Sequence, residues 1–149
     1  MKKHSRALTA VLTAAACGTS AAALGPSSIA GRYILRDTDG STLPFATINS
    51  AARRLYVVAG EFTLVGDGSM TTRIEYRVEQ RGAAVSSSVT TGSGTYNVSG
   101  SSVSMTTVSV SNGVSSLSTT FDGIIAADGA MLLDRIAGRS DGLTYRYNR

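Results

Sequence analysis

The sequence predicts an all-β chain: an antiparallel up-and-down barrel of eight to ten strands behind an N-terminal signal peptide. Three observations carry that expectation. From Gly31 to Arg149 apolar residues recur with period two, and no helical period appears. Asp-Gly and Asn-Gly dipeptides interrupt the alternation at intervals of about 8–14 residues, the spacing of tight antiparallel turns. An open array of that many strands leaves two unpaired edges, and closure removes both.

The chain divides into residues 1–16, 17–30 and 31–149. In the first part Lys2, Lys3 and Arg6 form a positive region ahead of the apolar run Ala7 to Ala16, the order found in secretory signals. Ten residues at helical rise cover about 15 Å, half of a hydrocarbon core, so a permanent span is disfavoured. Two cleavage sites stand open. Ala14-Ala15-Ala16-Cys17-Gly18 resembles the lipobox whose cysteine is acylated to become the new N-terminus, although Ala14 stands where a larger aliphatic is usual. Ala21-Ala22-Ala23 is a small-x-small site for ordinary secretion. Cys17 is the only cysteine, so it makes no intramolecular disulfide, and acylation would consume its thiol. The expected location is therefore the cell envelope, lipid-anchored through Cys17, with soluble secretion as the alternative.

Residues 17–30 are small and, from Gly18 onward, uncharged, and read as a flexible tether. Beyond them the clearest strand is Met70 to Arg81. Met70, Thr72, Ile74, Tyr76, Val78 and Gln80 fall on one face, and Arg73, Glu75, Arg77, Glu79 and Arg81 on the other. Shorter β-branched or aromatic segments are expected as strands at Tyr33–Leu35, Leu55–Val58, Phe62–Val65, Thr95–Val98, Val103–Val110, Leu117–Ile125, Met131–Leu133 and Leu143–Tyr147. Turns are expected at Asp39-Gly40, Asp67-Gly68, Asn112-Gly113, Asp128-Gly129 and Asp141-Gly142, with a bulge at Asp122-Gly123. Residues 86–120 hold 20 Ser or Thr, so strand register is expected to be weakly specified there, least of all over Ala83 to Gly94.

Composition excludes more than it assigns. The net charge of +4 suggests nucleic acid until the signal is set aside. Without Lys2, Lys3 and Arg6, eleven arginines face ten acids, spread along the chain with no basic stripe. His4 is the only histidine, and no lysine follows Lys3. Ser-His-Asp, Cys-His and Ser-Lys catalysis, Schiff-base chemistry and His/Cys zinc sites thus lack their essential groups in the exported domain. What survives is chemistry by a pair of carboxylates; Glu61, Glu75 and Glu79 are the only glutamates, and the last two fall on the charged face of their strand. Asp37-Thr38-Asp39-Gly40 reads as a turn and not as a calcium loop, because Ile48 stands where such a loop needs its last glutamate. The expectation is a non-catalytic protein without metal or cofactor.

Gly31-Arg32-Tyr33, Gly40-Ser41-Thr42-Leu43-Pro44, Gly94-Thr95-Tyr96-Asn97-Val98-Ser99-Gly100 and Gly142-Leu143-Thr144-Tyr145-Arg146-Tyr147 together resemble the short lipocalin-like domains of bacterial secreted proteins and lipoproteins. The resemblance covers residues 31–149. It implies that Tyr33 stands where the family's barrel-floor tryptophan would, covered by Arg146 or Arg149. It also implies a cup for a small apolar or amphipathic ligand, lined by Tyr33, Leu35, Phe62, Leu64, Ile74, Tyr76, Val78, Phe121, Tyr145 and Tyr147. No helix pattern follows the last strand. An eight-stranded barrel either fills with side chains or holds one small ligand. The alternative expectation is accordingly a filled barrel or β-sandwich serving as a structural or interaction protein of the envelope.

Overall fold

The structure, a computed structural model, describes residues 24–111, 114–136 and 139–149, with side chains excepted at 111, 114–117, 135–136 and 139–141. The signal region, Cys17, the Ala21–Ala23 site and the Asn112-Gly113 turn lie outside the described residues.

After a single helical turn, α1 (Pro26–Ile29), come β1 (Gly31–Thr38), β2 (Ser41–Thr42), β3 (Phe45–Asn49), β4 (Arg53–Leu64) and β5 (Ser69–Gln80). They are followed by β6 (Ser86–Ser99), β7 (Ser102–Ser111), β8 (Val114–Ile125), β9 (Met131–Ile136) and β10 (Arg139–Asn148). Neighbours pair antiparallel from β4 through β10, and β1 joins β10 on one side and β4 on the other. Eight strands thus close an up-and-down barrel. β2 and β3 are additional: they fill the gap where β1 and β4 part, β2 on Asp37–Thr38 of β1 and β3 on Arg54–Val57 of β4.

The alternation of β5 appears as expected. Met70, Thr72 and Ile74 are buried inside the barrel, while Arg73, Glu75, Arg77 and Glu79 form ion pairs outside, 3.4 Å for Arg73–Glu75 and 3.3 Å for Arg77–Glu79. Opposite signs stand directly across on β4, Glu61 against Arg73 and Arg54 against Glu79.

Elsewhere the structure departs from the sequence expectations. Leu55–Val58 and Phe62–Val65 are not two strands; both belong to β4, apart from Val65, which follows its end. A bulge between Val57 and Ala59 shifts the alternation by one residue, so Val57 before it and Phe62 and Leu64 after it all face inward. A strand without the bulge would turn Phe62 to water. A similar slip between Leu35 and Asp37 brings Thr38 into the core with Tyr33 and Leu35. Asp122-Gly123 is no bulge: both residues pair with β7 without interruption, opposite Ser104 and Val103. Asp141-Gly142 is no hairpin turn, and lies within β10 where the register with β9 shifts between Ser140 and Tyr145. Gly142 has φ 76° there, which a side chain would strain.

The Ser/Thr-rich region forms full strands; β6 keeps an unbroken register, from Ser86 to Thr95 with β5 and from Thr90 to Ser99 with β7, whereas the β7–β8 ladder slips between Val108 and Val110. Two ordered neighbours supply the specification that its own composition lacks. Finally, the end of the expected tether is part of the domain. Ile29 is buried in the core and Leu24 packs against it, so residues 24–30 cap the barrel base.

Candidate functional site

The barrel has two unlike ends. At the base, where β1 begins and β10 ends, α1 is latched down. The Tyr96 hydroxyl is shared between the carbonyls of Pro26 (2.8 Å) and Val65 (2.7 Å), and Tyr33 donates to the carbonyl of Ile29 (2.9 Å). Arg149 lies over the Tyr33 ring, 5.4 Å from its centroid, and donates to the carbonyls of Ser28 and Ala30. Arg146, the other candidate for this cover, points outside and pairs with Asp128. A cavity of about 580 Å³ lies at the base between α1 and the turn after β8, with Leu24, Ile29, Ile125, Ala127 and Arg149 among its walls.

All ten residues expected to line the lumen stand on the inner face of the barrel. Eight of them, Tyr33, Leu35, Phe62, Leu64, Ile74, Phe121, Tyr145 and Tyr147, are at most 3% exposed and pack together. Phe62 reaches across the lumen from β4 to meet the ring of Phe121 on the opposite strand, β8, edge to face at 5.8 Å. It meets Tyr147 at 5.0 Å. At this level the interior is filled.

Above it the interior opens. Along the inner face of β5, Met70, Thr72 and Ile74 are buried, Tyr76 and Val78 half-buried and Gln80 exposed. Leu143 on β10 is likewise half-buried, and Leu43, from the segment after β2, packs against the core from the same end. Tyr76, Val78, Leu43 and Leu143 thus stand above the Phe62–Phe121 layer, toward the end of the barrel that carries the β1–β2 and β3–β4 turns.

Hydroxyls supply the polar groups of this interior. Thr38, Thr72, Thr107 and Tyr147 each bury a hydroxyl without a hydrogen-bond partner. Burial pushes the Tyr147 phenol well above its ordinary range, and the neighbouring phenols of Tyr76 and Tyr145 add to the shift. Sequence reasoning omitted Thr38, Thr72, Thr107, Leu43 and Leu143 from the lining. The period-two rows containing Thr72 and Thr107 were legible, but a threonine in such a row carries no sign of whether its hydroxyl finds a partner.

The acidic residues have other tasks. Asp37 accepts the Gly40 amide (3.1 Å) and Asp39 the Thr144 amide (2.8 Å), so both carboxylates serve the β1–β2 turn. Glu61 takes two 2.7 Å hydrogen bonds from Arg32 on the outer surface, which hold its carboxyl below the usual carboxylate range. Among the described residues no cluster of three or more His, Cys, Asp or Glu could hold a metal ion. Compared with protein-family models, curated proteins and solved structures, the chain finds no significant match.

Proposed function

We propose that this protein is an exported barrel, anchored to an envelope membrane through an acylated Cys17, that holds a small apolar or amphipathic molecule in its cup without catalysis. Export and anchoring rest on Lys2, Lys3 and Arg6, the apolar run before Cys17, and the lone thiol. Non-catalytic binding is supported by the missing His, Lys and Cys in residues 18–149.

The observation that carries the ligand reading is the gradient of exposure along the inner face of β5, from buried Ile74 through half-buried Tyr76 and Val78 to the open rim. On this reading Tyr76 and Val78 touch the ligand, and the other eight residues form the floor beneath it. Full-length Cys17→Ser protein titrated with a medium-chain alcohol, a medium-chain fatty acid and a hydrophobic dye should show saturable thermal stabilisation by at least one. Val78→Asn should weaken it. No stabilisation by any of them sinks the reading. For the anchor, mass spectrometry of the exported protein should find an acylated chain beginning at Cys17; an unacylated chain beginning at Leu24 would refute it.

A second reading is favoured by the filled layer at Phe62 and by the outer surface of β6–β8. Over residues 86–125 the only charged residue is Asp122, and Val108 and Ile124 are each 47% exposed. Such a wall suits a protein partner. A photocrosslinker at position 108 would then capture one in intact envelopes, and a crosslinker at position 78 would not.

A further inference from the structure

We infer that the end of the barrel carrying the β3–β4 turn binds a phosphate group, in a surface hollow walled by Arg53, Arg54 and Arg81. The hollow, of about 230 Å³, lies between that turn and the end of β5, and Ala51, Ala52 and Glu79 are also among its walls. It is separate from the barrel interior, so the inference is independent of what the interior holds. Strand pairing brings the three arginines to one place. Arg54 stands directly across from Glu79, and Arg53 precedes it at the start of β4. The Arg81 amide donates to the Ala52 carbonyl (3.0 Å), tying the chain just after β5 to the turn just before β4.

Charge sets this hollow apart. Arg32, Arg73, Arg77 and Arg146 each pair with a carboxylate, and Arg149 donates to two carbonyls. Arg53, Arg54 and Arg81 pair with no carboxylate among the described residues. The one acid in the hollow, Glu79, is already engaged. Arg77 meets its Oε1 at 3.3 Å, and the Tyr56 hydroxyl donates to its Oε2 at 3.5 Å. Arg77 is itself held over the Tyr56 ring, 4.5 Å from the centroid. Three guanidiniums therefore share a concave surface without a counter-ion, and an anion seated among them relieves their mutual repulsion.

Shape selects the anion. A terminal phosphate presents three oxygens in different directions, which suits donors arriving from two strand ends; a carboxylate presents two in one plane. The planar fork of each guanidinium matches a pair of phosphate oxygens. The turn adds donors, because the amides of Ala51 and Ala52 have no acceptor among the described residues. A soluble phosphate ester and an anionic lipid head offer the same chemistry. Position favours the soluble source. Leu24 packs at the base, whereas the hollow lies at the far end of the 12-residue β4. At the usual strand tilt that is about 30 Å along the barrel, so a bilayer anchored through Cys17 would lie at the opposite end.

Full-length Cys17→Ser protein is titrated calorimetrically with pyrophosphate and with acetate, at pH 7 and matched ionic strength. The same protein is sedimented with phosphatidylcholine vesicles, with and without phosphatidylglycerol. Pyrophosphate should bind saturably, one per chain, and acetate at least about tenfold more weakly. Arg53→Gln, Arg54→Gln and Arg81→Gln should each weaken pyrophosphate about three- to tenfold. None of the three gives up a carboxylate partner, so the melting temperature should hold or rise. Glu79→Gln should tighten binding, and Arg146→Gln, which removes a cation at the base, should leave it unchanged. Binding only to phosphatidylglycerol vesicles, lost in Arg81→Gln and kept in Arg146→Gln, would assign the phosphate to a lipid head and uphold the site. Acetate binding as tightly as pyrophosphate, an equal loss in Arg146→Gln, or no binding of either phosphate probe would overturn the inference.

Discussion

Arg149 and Tyr33 tie the end of the barrel to its beginning: the guanidinium lies 5.4 Å from the ring centroid, and its Nη2 donates to the carbonyls of Ser28 (3.2 Å) and Ala30 (2.8 Å). One side chain thus covers the floor residue and, by donating to its carbonyls, holds the turn that leads into β1. Arg149→Ala should destabilise the domain by about 1 kcal/mol, the sum expected of an exposed cation–π contact and a hydrogen bond to a charged donor discounted for solvent. In a domain of this size that is a fall of roughly 4 °C in melting temperature. Arg146→Ala, which removes only the outer contact with Asp128, should change it less. Thermal unfolding followed by circular dichroism separates the two.

Phe62 joins opposite walls of the barrel through Phe121 and Tyr147. Phe62→Ala should cost about 3–5 kcal/mol, the range for deleting a fully buried aromatic ring. Phe62→Leu should cost less than half of that. Urea unfolding with an unchanged denaturant slope would place the effect in the core; an Ala variant within 1 kcal/mol of the parent would mean that the ring is not packed as described.

The buried hydroxyls make a prediction of the opposite sign. Thr107→Val removes an unpartnered buried polar atom while keeping the side-chain shape, so stability should hold or rise by about 1 kcal/mol. A loss of similar size would reveal a partner for that hydroxyl in solution.

The Arg32–Glu61 pair on the outer surface gives a pH signature. Its hydrogen bonds hold the Glu61 carboxyl below its ordinary range. A carboxyl with a lower pKa in the folded than in the unfolded chain adds stability above its unfolded pKa, and loses it as the pH falls through the folded value. Wild type should therefore exceed Glu61→Gln in stability at pH 7, and the gap should close below about pH 4. A gap independent of pH would assign the effect to packing and not to charge.

Much of the architecture was legible because its signals are local. Period two in Met70 to Gln80 places Ile74 inside and Arg73 outside whatever strand lies alongside. The Asp39-Gly40 turn has positive φ at both residues, 48° and 74°, which this dipeptide tolerates. Those signals are enough for an all-β chain, its turn at Asp39, its charged outer row and the inward set of aromatics.

Other features were settled between segments distant in sequence. The bulge at Val57–Ala59 exists in the pairing of β4 with β5, so neither strand alone reveals that Phe62 turns inward. Asp122-Gly123 and Asp141-Gly142 are the same dipeptide, yet the first runs straight through a ladder and the second marks a slip in one. The choice of Arg149 over Arg146 depends on which guanidinium the closing of the ring carries over Tyr33. Alternation and turn chemistry act within a few residues of the chain, whereas phase, depth and the contact of Phe62 with Phe121 arise only when eight strands share one curved surface.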